Sequence, residues 1–136
     1  MPVTYSIDPA RKLIHTTCSS TANLEEIIDH FRTLSIDPQC VGSLDVLLDV
    51  SSAETFPDSK NLARVITELG KLSEKVQFGL CAIAAGQDTM FGMMRMFEVV
   101  AGKHFTVVRV FRTLAGAQQW LDSLQPGAET KVGSAL

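Results

Sequence analysis

Apolar and polar positions along the chain alternate between two periods, and the switches mark out its elements. Val3 to Asp8 and Leu13 to Cys18 read as two short strands. Between them, Asp8-Pro9-Ala10-Arg11-Lys12 has turn chemistry, because Pro fixes φ and Asp can hydrogen-bond the turn backbone. The pair predicts an antiparallel hairpin. Leu24, Ile27, Ile28, Phe31 and Leu34 then recur at the helical period, with Asn23 and Glu26 spaced as a capping box. Ile36-Asp37-Pro38 stops this helix, since the residue before a proline avoids helical angles. Leu44 to Val50 holds the continuous apolar run Val46-Leu47-Leu48, the pattern of a strand covered on both faces.

A loop from Ser51 to Pro57 precedes a second amphipathic helix marked by Leu62, Val65, Ile66, Leu69 and Leu72. Phe78 to Ala84 is another buried strand, turned at Gly86-Gln87-Asp88 into a third helix over about Thr89 to Ala101. Thr106 to Phe111 is the last strand. Thr113 can cap a final helix carrying Leu114, Ala117, Trp120, Leu121 and Leu124. The order β-β-α-β-α-β-α-β-α predicts an α/β fold: a mixed five-stranded sheet, an N-terminal hairpin followed by parallel β-α units, with four helices. The pattern leaves open whether helices cover one face or both. Residues 1–124 form the expected domain, and the Gly/Ala/Ser-rich stretch 125–136 a flexible tail.

At 136 residues the chain is long enough for one core. Its net charge of −3 argues against nucleic acid, where a basic face is expected. The start lacks the charged head and apolar core of a signal peptide, and no stretch reaches the roughly 20 apolar residues of a bilayer span. Cys18, Cys40 and Cys81 are odd in number and far apart, which suggests neither a disulfide framework nor a zinc site. A cytoplasmic protein is expected.

Chemistry-bearing motifs are sparse. His15, His30 and His104 stand in different elements without metal-ligand spacing and read as surface or capping residues. There is no G-x-S-x-G elbow, P-loop or G-x-G-x-x-G fingerprint. A receiver domain is excluded because the acidic pair after the first strand and a Lys at the last strand's end are missing. The expectation is a non-enzyme with no cofactor.

The segment Leu47-Leu48-Asp49-Val50-Ser51-Ser52-Ala53-Glu54-Thr55-Phe56-Pro57-Asp58-Ser59-Lys60-Asn61-Leu62 resembles the STAS (anti-sigma-factor-antagonist) signature. In that family an apolar strand ends in Asp, and a short loop leads to Asp-Ser before a helix. Asp49 matches the strand-end Asp, Asp58 the loop Asp and Ser59 the phosphorylatable Ser. Lys60 and Asn61 stand where small residues and Gly are usual. More loosely, residues 3 to 124 and the ending Val108 to Leu121 are similar to a divergent bacterial branch, the SpoIIAA-like or STAS/CRAL-TRIO-like proteins. The resemblance implies a regulatory module acting through protein contacts and switched near Ser59.

Physical chemistry gives the motif two readings. A phosphate on a first-turn Ser would be stabilised by free backbone N–H groups and the helix dipole. Alternatively, Asp58 is an ordinary N-cap, and Asp49 a strand-end carboxylate accepting loop N–H bonds.

The third helix, Asp88 to Ala101, is the oddest stretch. At about 100° per residue Met90, Met93, Met94, Met96, Phe97, Val100 and Ala101 cover one broad arc, with Phe91 and Val99 outside it. That arc is wider than packing on a sheet requires. Met90, Phe91, Met94, Arg95 and Phe97 are therefore candidate contacts for a protein partner, a second copy, or an apolar ligand such as a lipid. Deep burial with Met as gap filler is the structural alternative. Arg109, Arg112, Arg95 and Lys103 have two readings, a small basic patch suited to an anionic head group or a solvated strand edge that Arg guards against pairing. The competing function is thus a carrier of a lipid or other apolar anion.

Overall fold

A computed structural model describes residues 3–19, 23–53 and 59–124 and, for Ser59 and Lys60, the backbone alone. Asp58, expected as a helix cap, and residues 125–136, expected as a flexible tail, lie outside the described residues.

The elements follow the expected order: β1 (Val3–Asp8), β2 (Leu13–Cys18), α1 (Leu24–Ile36), β3 (Gly42–Asp49), α2 (Ser59–Leu72), β4 (Val76–Ala84), α3 (Asp88–Ala101), β5 (Val107–Phe111) and α4 (Leu114–Leu124). Local chemistry accounts for several boundaries. In the first turn the Asp8 carboxylate accepts the Ala10 and Arg11 N–H groups at 3.0 and 3.2 Å. At the start of α1, Asn23 and Glu26 satisfy each other's backbone N–H at 2.9 and 3.0 Å. The Thr113 hydroxyl accepts the Gly116 N–H at 3.0 Å and caps α4.

The sheet runs β1-β2-β3-β4-β5, with β1 antiparallel to β2 and every other pair parallel. This is the α/β fold with a mixed five-stranded sheet and four helices. Because each parallel strand joins its immediate neighbour, right-handed crossovers send α1, α2 and α3 to the same face, here called the front. No strand follows β5, so α4 is free of that rule and covers the back. The core divides accordingly. Ile14, Cys18, Leu44, Phe78, Cys81, Ile83 and Val108 face the front helices, and Leu13, Leu47, Ala82 and Ala84 pack with Ala117 and Leu121 of α4.

One irregularity lies in the centre. Between Leu44 and Val46 of β3 the register with β4 slips, so that Gly79 and Leu80 together oppose Asp45. The Asp45 carboxylate accepts the Leu80 N–H at 2.8 Å, replacing the lost ladder bond. A side chain at position 79 would displace this carboxylate, since a Cβ there would lie 2.5 Å from Asp45 Oδ1.

The two faces pack differently. The small side chains Ala82 and Ala84 let α4 approach until its backbone neighbours β3, β4 and β5. On the front, α2 neighbours α1 and α3 more than any strand. Val46 and Leu48, front-facing in the central strand, remain only half-buried, whereas Leu47 on the back is fully buried. The apolar run of β3 is therefore covered unequally on its two faces.

Candidate functional site

The parallel strands end together at one edge, where ligands of open α/β sheets usually bind at the point of reversal in strand order. The order here is sequential, so there is no reversal and no crevice of that kind among the described residues. Asp49 is occupied by its own loop: its Oδ1 accepts the N–H of Ser51 at 3.0 Å and the Ser51 hydroxyl. That is the local role of a strand-end carboxylate. Ser59 opens α2 and Lys60 follows it.

One concave, apolar site lies between the layers. A partly open cleft of about 70 Å³ separates the front of the sheet from α1, α2 and α3. Val46 and Leu48 of β3 form part of its floor, Ile27, Phe31 and Leu34 the α1 wall, and Val65, Leu69 and Leu72 the α2 wall. Met94 and Phe97 of α3 close one end with Phe78 and Phe105. Nearly all of the lining is apolar.

Two polar side chains interrupt this lining. Thr16 on β2 is 4 % exposed, the one buried polar residue among those described. Its Oγ1 lies 3.3 Å from Nε2 of His30 on α1. The His30 ring stands edge-on to Tyr5, with centroids 5.3 Å apart, and 5.6 Å from Phe31. His30 is thus packed against the sheet and is not the surface residue its isolated place in the sequence suggests. Burial pushes its pKa down to about 4, so the imidazole is neutral near pH 7. Tyr5 is anchored in turn, its hydroxyl donating to Asp37 Oδ2 at 2.6 Å. Burial first, then that carboxylate, pushes the phenol up to about 12.

The cleft thiols are inert. Burial, with a smaller contribution from the Asp49 charge, pushes Cys18 up to about 11. Burial raises Cys81 further still. Among the described residues no cluster of His, Cys, Asp and Glu suits a metal ion, and no helix is long and apolar enough to cross a membrane.

The third helix divides its expected contacts. Met94 and Phe97 line the cleft. Met90 is fully buried and is not among the cleft-lining residues, the core placement of a methionine gap filler. Phe91 is half-buried beneath the Arg112 guanidinium, 4.0 Å above its ring centroid. Arg95 is exposed and pairs with Glu98 at 3.3 Å. Met96, Val99 and Val100 form the exposed apolar remainder, Val99 at 79 %.

Arg95 and Arg109 do not share a patch. Arg112 is engaged by Asp88 at 2.7 Å. Arg109 alternates with the front-facing Val108 and Val110 and so points to the back, across the sheet from Arg95.

Thr16 and His30 belong to no sequence motif, and each is ordinary alone. A signal was present: His30 falls within the apolar stripe Ile27-Phe31-Leu34, and Thr16 sits between Ile14 and Cys18 at the strand period. Compared with known proteins, the chain matches no family model, no curated protein and no solved structure.

Proposed function

We propose that this domain is a non-enzymatic binding module that takes a small apolar ligand, or the apolar end of a longer one, into the cleft between the sheet and α1–α3. The observation that carries the reading is a space lined by apolar side chains within the front layer, with Val46 and Leu48 of the central strand left half-buried. A void so placed forfeits dispersion contacts, and an apolar guest recovers them. A cleft of about 70 Å³ is roughly half the ~150 Å³ that admits benzene, so it suits a group of a few heavy atoms. None of the described lining residues is Lys or Arg, which favours an uncharged occupant over an apolar anion. Met94 and Phe97 give the cleft an adaptable end.

The test is xenon binding followed by amide NMR shifts, with native mass spectrometry of protein purified from its host. Shifts confined to the cleft residues, abolished when Leu48→Phe fills the space, support the reading. Absence of shifts together with a bare protein mass counts against it.

A second reading, regulatory contacts of the STAS-like kind, draws on the exposed stripe Met96, Val99 and Val100. Ser59→Asp is then expected to change capture of a protein partner without changing the melting temperature. Equal capture by both forms opposes a switch at Ser59.

A further inference from the structure

We infer that Thr16 and His30 form the polar end of the cleft, so that its ligand is a short apolar body bearing one uncharged hydroxyl group. This rests on the reading of the cleft as a ligand site and names the class of ligand.

Thr16 is a costly residue where it stands. Its position on the front of β2 is otherwise apolar, between Ile14 and Cys18. Valine would fill the same volume without burying a hydroxyl, and a buried hydroxyl is unfavourable unless hydrogen-bonded. A hydroxyl offers one donor and two acceptor sites. The partner supplied by the fold is His30 Nε2 at 3.3 Å, the long end of the hydrogen-bond range. Hydrogen-bonding capacity is therefore left over at the wall of the space, and Thr16 and His30 both line it.

The pair is also held in place. Tyr5 and Phe31 fix the imidazole plane, and Asp37 fixes Tyr5. Such support around two polar groups is what an orienting contact in an apolar pocket requires. Charge selects the class. The imidazole is neutral near pH 7, and no lining cation is present among the described residues to offset a carboxylate. A carboxylate would enter unpaired, whereas a hydroxyl can both donate and accept at the Thr16–His30 pair.

The experiment titrates wild type, Thr16→Val and Thr16→Ser with propane, 1-propanol and propionate at pH 7.5, read by amide shifts of cleft residues. In wild type 1-propanol binds and propionate binds far more weakly. Thr16→Val weakens 1-propanol binding by about 3- to 10-fold, the worth of one neutral hydrogen bond, and leaves propane unchanged. Thr16→Ser keeps the preference for the alcohol. If propane binds but Thr16→Val treats alcohol and alkane alike, or if propionate binds as well as the alcohol, the polar end is refuted while the cleft stands. If no probe shifts the cleft residues of the wild type, both the polar end and the ligand reading fail.

Discussion

Over the central strands the back of the sheet is packed tight by α4, whereas the front keeps a cleft beneath its three helices. On the back, Ala82 and Ala84 present a flat apolar surface, α4 comes close, and Leu47, Ala117 and Leu121 are fully buried. On the front, three helices linked by crossovers share one face, and α1 and α2 arch over Val46 and Leu48. A helix tethered at one end settles where packing is best. A helix that must span two strands is placed by its connections, and side chains fill what space they can. The difference teaches that the larger, front core is also the one that keeps unfilled space, while the smaller core under α4 is packed tight.

The largest expected effect separates neighbours in one strand. Leu47→Ala is expected to lose about 2–5 kcal/mol in urea melts, as for a filled core site. Leu48→Ala, facing a space that already exists, is expected to lose less than half as much. Equal losses would break the comparison.

Next comes the pH dependence of the front face. The unfolded His30 imidazole takes up a proton near 6.5, the folded one only at about 4. Between those values the unfolded state binds more protons, so stability falls as pH drops through that window. At about 1.36 kcal/mol per unit the loss is at most about 3 kcal/mol. His30→Phe is expected to flatten this slope, as chemical denaturation between pH 7 and 4 would reveal.

Overpacking gives the third contrast. Ala82→Leu on the closed face is expected to cost about 1–3 kcal/mol, whereas Leu48→Phe on the open face stays within about 1 kcal/mol of wild type. Thermal melts of the two variants check the order.

The smallest effect is at the surface. Val99→Ser is expected to change stability by no more than about 0.5 kcal/mol, since its side chain is 79 % exposed. A larger loss by calorimetry would show that the outer side of α3 is covered in solution.

Much of the fold was legible because its signals are local. Asn23 and Glu26 cap α1 through atoms three residues apart, and Thr113 caps α4 in the same way. The hairpin turn at Asp8 is likewise contained in a few residues. In the third helix the sequence left Met90 open between contact and core, because periodicity shows that an arc is apolar but not what lies against it; burial places it in the core. Arg109 and Arg95 could not be placed from the sequence, because nearness along the chain does not report which side of a strand a residue occupies.

By itself, the sequence determined the elements, their order and the parallel core of the sheet, through period, caps and the short reach of the connections. Only the tertiary structure decided that α4 crosses to the back, that α1 and α2 stand off the front, and that His30 meets Thr16 across the gap. Those outcomes depend on how whole layers fit together, and no window along the chain contains both sides of such a contact.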